Sequence, residues 1–172
     1  MEFGVTVITH IEKSPAQIRL AEELGYDRAW VPDSQMIWSD CYATMALAAQ
    51  ATKRIKIGTG VAIPGTRIAP VTAHSIATIN QIAPGRVFLG IGTGHTAMRV
   101  MGQHPMPLKE FREYLRVVRA LLNGEAILHL WWRAPRDYFP PSRSPLHQPR
   151  KPDSDLCCGQ RSQGVRSRRD VR

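Results

Sequence analysis

Four short runs rich in β-branched and aromatic residues alternate with segments of helical pattern, and this alternation constrains the fold more than any other feature of the chain. Phe3, Val5 and Val7 alternate with Thr6 and Ile8 in the first run, which closes at Thr9 and His10. Arg28 to Pro32, Arg54 to Gly60 and Arg86 to Ile91 supply the others, each short enough to be a strand and bounded by turn residues. The helical segments between them carry their own punctuation. Ser14-Pro15-Ala16-Gln17 reads as a capping box with proline at the first helical position, and Gly25 stops that helix. Residues 41–53 are alanine-rich, Pro70 opens a helix that runs through Ile82, and a short helical piece after His95 reaches Met101. Leu108 to Asn123, stopped by Gly124, repeats Leu108, Phe111, Leu115, Val118 and Leu122 along one face. Residues 61–69 contain Pro64, Gly65 and Arg67 and read as an irregular loop that ends the third strand. His74, Met98 and Met101 read as packing residues.

Strict β/α alternation implies parallel strands with right-handed crossovers, hence an open doubly wound sheet or a TIM barrel. In either architecture chemistry gathers at the C-terminal strand ends. Here those ends are Thr9-His10, Asp33-Ser34, Gly60-Val61 and Gly92-Thr93-Gly94-His95. The spacing of Gly90, Gly92 and Gly94 approaches a dinucleotide-binding loop, but Glu110 and Glu113 lie in a helical segment where that fold needs an acidic strand end.

Charge is unevenly distributed. Residues 1–126 hold 13 Lys+Arg against 10 Asp+Glu, whereas residues 127–172 hold 10 against 4, so the excess of positive charge belongs mostly to the C-terminal part. Cys41, Cys157 and Cys158 form neither a disulfide framework nor a zinc spacing, which points to a reducing compartment and no metal site. Glu2 stands where a secretory leader wants a basic residue, and no apolar run approaches membrane-spanning length. A soluble cytoplasmic protein is expected.

Three blocks, WVPDS at 30–34, IKIGTGVAIPGTRIAP at 55–70 and GRVFLGIGTG at 85–94, resemble in order and spacing the N-terminal half of the luciferase-like monooxygenase superfamily. The resemblance covers about residues 1–126 and is strongest to the coenzyme F420-dependent branch. It implies a TIM (β/α)8 barrel that binds a flavin or deazaflavin across its C-terminal mouth and transfers a hydride to or from a small organic substrate. By motif position, Asp33 and Ser34 would lie at the cofactor's reactive edge, with Ser34 a catalytic candidate. Gly60-Val61 would be a non-proline cis peptide supporting one face of the ring, and Gly92, Thr93 and Gly94 would line the pocket. His95 stands where the glucose-6-phosphate dehydrogenase branch has a carboxylate acid, and histidine is a residue type suited to proton transfer at neutral pH. That branch has a histidine where this chain has Ser34, so both departures weaken a sugar-phosphate substrate. His10 and Trp38 are substrate-pocket candidates. FMN with oxygen stays open as the alternative to F420.

From residue 127 onward the chain is rich in proline and arginine and shows no strand-helix unit. Two readings compete for 127–172: a basic arm for nucleic acid, and the favoured one, an out-of-frame translation that truncates the barrel to about four of its eight units. A half barrel of this kind is expected to have little or no cofactor affinity and, with it, little or no activity. Its exposed strand edges would also favour homodimer formation.

Overall fold

Parallel strands cannot be joined by tight hairpins, so each β run must be carried back by a crossover, and here the crossovers are helical. A computed structural model describes residues 1–125, and the basic segment 127–172 lies outside the described residues. The elements are β1 (Gly4–Thr6), α1 (Ser14–Glu23), β2 (Arg28–Val31), α2 (Cys41–Ala51), β3 (Lys56–Ala62), α3 (Ala69–Ile82), β4 (Val87–Ile91), α4 (His95–Val100) and α5 (Leu108–Leu122). The four strands form one sheet in the order β1-β2-β3-β4. Every pair is parallel, in a register that places Gly4 beside Arg28, Trp30 beside Gly58 and Gly58 beside Phe88.

Alternation along the strands separates two faces. Val5, Val7, Ala29, Val31, Ile57, Val87 and Leu89 belong to one apolar core with residues of α1, α2, α3 and α5. Trp30 and Phe88 lie on the opposite face and meet edge to face, with ring centroids 4.6 Å apart. The Trp30 ring crosses the sheet over glycines of three strands. A Cβ on Gly4 would lie 3.0 Å from its Nε1, one on Gly60 2.8 Å from its Cβ, and one on Gly90 2.8 Å from its Cζ3. In a closed barrel this is the face that points to the axis.

Several boundaries differ from the sequence reading. β1 pairs only over Gly4–Thr6, because beyond Val7 the chain is held by side chains instead of a ladder. The Thr9 hydroxyl donates to the Pro32 carbonyl at 2.6 Å, and the Ser14 hydroxyl donates to the Ile8 carbonyl at 2.7 Å. Ser14 is therefore no helix cap. Lys13 occupies the N-cap without a side-chain bond, and the buried Ser14 hydroxyl accepts the His10 N–H, fastening the β1–α1 turn. β3 does not end at Gly60. The Gly60–Val61 peptide is cis, as the resemblance implies, and pairing resumes beyond it with Ala62 beside Ile91. On α5 the buried side chains are Tyr114, Val117, Val118 and Ala120, while Leu108 is exposed, so the inward face is rotated from the expected stripe. His74 is exposed on α3 rather than packed, whereas Met98 is buried as expected.

At the opposite end of the sheet, the Glu22 carboxylate accepts the backbone N–H groups of Lys53, Arg54 and Ile55, joining the end of α1 to the entry of β3. Partial burial acts to raise its pKa, but the three amides and the nearby Arg54 outweigh that and hold it below the ordinary value of 4.5. A lowered folded-state pKa stabilises fully above the unfolded value and loses that contribution as pH falls through the folded value. Glu22→Gln is therefore expected to lower the urea midpoint near neutrality, with the difference from wild type shrinking as pH drops below 4.5. Parallel urea titrations at neutral and acid pH check this.

Candidate active site

The C-terminal ends of β1 to β4 define one rim, and the sequence candidates fall along it. β3 and β4 are joined beyond the bulge by the Gly92 N–H, which donates to the Ala62 carbonyl at 3.0 Å. Val61 stands out from the bulge with 43% of its surface exposed, and its Cγ2 lies 3.1 Å from where a Cβ on Gly92 would be. An isopropyl group thus sits directly against a side-chain-free stretch of β4. This pairing of an exposed apolar group with bare backbone is suited to one face of a flat heterocycle.

Thr93 follows half-buried, and its carbonyl accepts the Met106 N–H at 3.1 Å. Gly94 caps α4 in the left-handed region at φ 87°, where a Cβ would strike Met98 at 2.8 Å and Ile63 at 3.0 Å. His95 opens α4 and is exposed. His10, at the end of β1, is half-buried, and its Nδ1 accepts the Glu12 N–H at 3.3 Å, so a neutral ring carries its proton on Nε2. The Ser34 carbonyl accepts the Trp38 N–H at 3.2 Å, forming a turn that leaves Trp38 at the exposed rim. The structure brings Gly60, Val61 and Gly92 into one unit. Among the described residues no hydrogen bond, ion pair or ring contact joins the side chain of His10 or His95 to the other candidates.

Asp33 has a different environment from an exposed catalytic edge. It is 3% exposed, and its carboxylate accepts the Gln35 amide at 2.6 Å, the Ile63 N–H at 3.4 Å and the Arg67 guanidinium at 3.2 Å. Arg67 also pairs with Asp40, which caps α2 by accepting the Ala43 N–H, and its guanidinium lies 4.4 Å from the centre of the Tyr42 ring. Burial acts to lower the Arg67 pKa, but the Asp33 and Asp40 carboxylates outweigh it and raise the pKa above the ordinary value. Burial, reinforced by the Asp33 charge, raises the Cys41 thiol far above its usual range, so Cys41 is no thiolate nucleophile. Burial likewise raises the Tyr42 and Tyr114 phenols.

Arg67, Tyr114 and Trp30 were not singled out from the sequence. In the sequence Arg67 reads only as part of an irregular loop, although a lone arginine between Pro64-Gly65 and Pro70 downstream of a strand end is its signal. The Tyr114 hydroxyl donates to the Arg67 carbonyl at 2.9 Å and contacts the Thr72 hydroxyl at 2.6 Å, but nothing in the helical pattern of α5 distinguishes it.

Four parallel βα units with a bulged third strand end define a protein of the (β/α)8-barrel class. The chain belongs to the luciferase-like monooxygenase family, whose model matches residues 1–152. It is 37% identical over 131 residues to a 5,10-methylenetetrahydromethanopterin reductase of Methanolobus tindarius, covering 74% of this chain and 40% of that protein. It is 36% identical over 121 residues to an F420-dependent glucose-6-phosphate dehydrogenase of Beutenbergia cavernae, covering 63% and 36%. The coenzyme F420-dependent tetrahydromethanopterin reductase of Methanopyrus kandleri superposes with a TM-score of 0.62 at 28% identity, covering 72% of this chain and 40% of that one. The fold is shared with an FMN complex of a 3,6-diketocamphane monooxygenase component from Pseudomonas putida, with a TM-score of 0.66 at 22% identity. The chain thus spans about 40% of the length of the methylenetetrahydromethanopterin reductase it matches. Among the described residues no helix is long and apolar enough to cross a membrane.

Tyr114→Phe removes the hydroxyl that serves both the Arg67 carbonyl and Thr72 while keeping the ring, and is expected to cost about 1–3 kcal/mol, the range for buried hydrogen-bonding groups left unsatisfied. Chemical denaturation of the variant beside wild type measures it.

Proposed function

We propose that the chain supplies the ring-binding side of a deazaflavin-dependent oxidoreductase acting on a small organic substrate. The observation that carries this reading is the seat formed by Val61 against Gly92 at the β3 and β4 ends, in a chain that over its matched residues is 37% identical to a 5,10-methylenetetrahydromethanopterin reductase and 36% identical to an F420-dependent glucose-6-phosphate dehydrogenase. When bound, coenzyme F420 supplies a two-electron hydride carrier whose ring has carbon where a flavin has nitrogen. Val61 would support one ring face and keep water from it, while Gly60, Gly92, Thr93 and Gly94 would let the ring approach the backbone closely. His95, exposed at the start of α4, is the group proposed to hand a proton to the substrate or take one from it. Ser34 and Trp38 would line the substrate side at the end of β2, and His10 would present its Nε2–H from the end of β1. Asp33 serves the site from beneath through its buried contacts.

Titrating the isotope-labelled chain with F420 and, separately, FMN while following backbone amide resonances tests the reading. Shifts centred on Val61, Gly92 and Thr93 with F420, reduced several-fold in Val61→Asp by a charge placed beside the ring, are expected. The same shifts with FMN alone would move the chemistry to a flavin, and shifts at neither ring would refute the site.

A further inference from the structure

We propose that Arg67 is a positioning residue for the ring seat, acting through the Asp33 carboxylate to fix the loop that leaves the β3 bulge. This inference rests on the ring-binding reading above for its functional consequence, though not for the clamp itself. Two points of one short loop converge on a single carboxylate: the Ile63 N–H donates to Asp33 Oδ2 at 3.4 Å, and Arg67 Nη1 reaches the same oxygen at 3.2 Å. The loop between them is therefore folded back on the end of β2. Ile63 is two residues beyond Val61, so whatever holds Ile63 also holds the isopropyl group over Gly92.

The guanidinium is fixed from several directions at once. Asp33 and Asp40 bind it in its plane, the Tyr42 ring covers it, and the Tyr114 hydroxyl holds the carbonyl of the same residue. A lysine ammonium has no planar fork with which to engage two carboxylates and stack on a ring together. Asp33 itself is buried, so without Arg67 it keeps neutral partners alone, the Gln35 amide, one long amide contact and the Cys41 thiol. An uncompensated buried carboxylate seeks water, and the movable neighbour is the loop carrying Ile63. The remaining supports of the region are separate from the clamp. The β2–β3 ladder runs on the near side of the bulge, and β3–β4 pairing continues on both sides of it, with Ala62 beside Ile91 beyond. Loss of Arg67 should thus loosen the seat before it loosens the sheet.

The test compares wild type, Arg67→Met, Arg67→Lys and the double variant Asp33→Asn/Arg67→Met, all as the full chain. In the unligated proteins, amide hydrogen exchange is followed at Ile63 and Gly92 and, as internal reference, at Ile18 in α1. Arg67→Met is expected to speed exchange at Ile63 and Gly92 about tenfold with little change at Ile18, the pattern of a local opening. Arg67→Lys should recover part of the protection. The double variant exchanges the ion pair for neutral groups, so it is expected to fold even where the single variant does not, and still to show the fast seat amides. Equal acceleration at all three amides, or none, would overturn the clamp. In F420 titrations, Arg67→Met should weaken the shifts at Val61 and Gly92 several-fold. Unchanged affinity in that variant would overturn the positioning role. Absence of ring binding in wild type would instead remove the ring-binding reading and leave the exchange result to decide the clamp.

Discussion

A carboxylate taken out of water must be answered by charge and hydrogen bonds, and the answer given to Asp33 organises the whole rim. Its partners come from the turn after β2, the loop after β3 and, through Arg67, the N-terminus of α2. Arg67 then passes the constraint to α5 through Tyr114, and Tyr114 passes it to α3 through Thr72. One ion pair thereby links the β2 turn, α2, the β3 loop, α3 and α5 at the end of the sheet where strand ends must be held in fixed relation. The opposite end is fastened in a simpler way, by the Glu22 carboxylate gathering three amides of one turn and the Arg86 guanidinium donating to the Ala49, Thr52 and Ile55 carbonyls. The sheet is thus held between two charged fasteners while its middle is held by apolar packing.

Strand and helix order was legible because the buried parallel strands are short apolar runs and every helix but α2, which Asp40 caps, carries a proline or glycine marker. Gly25, Gly85 and Gly124 all take positive φ where the pattern places helix ends or turns. Boundaries were less legible where side chains replace the backbone ladder. Thr9 and Ser14 read as strand and cap because threonine and serine favour those places, yet both hydroxyls are buried and spent on carbonyls of the β1–α1 and β2 turns. The continuation of β3 past Gly60 escaped the local pattern for a similar reason. Proline and glycine at 64 and 65 mark irregular backbone, but they follow the point where pairing resumes.

The candidate site was legible at the level of which strand ends form it and less so at the level of which atoms face it. Glycine spacing identifies a close approach, and Gly92 does lie bare against Val61. An aspartate at a strand end carries no mark in the sequence that tells an exposed acid from a buried anchor. That distinction depends on Arg67, 34 residues away, whose contact with Asp33 exists only once β2 and β3 are side by side. Tyr114 is hidden in the same way, since a tyrosine on the inward face of an amphipathic helix looks like any other apolar residue until its hydroxyl finds a carbonyl.

The indole of Trp30 has one further consequence. It rests on Gly4, Gly60 and Gly90, and a Cβ on Gly90 would also strike the Thr59 carbonyl. A substitution at any of the three glycines meets the same Trp30 side chain, and shrinking that side chain removes packing above all three at once. Four positions spread from residue 4 to residue 90 therefore form one packing unit. The space open to a side chain at residues 4, 60 and 90 is thus set by the single residue at position 30.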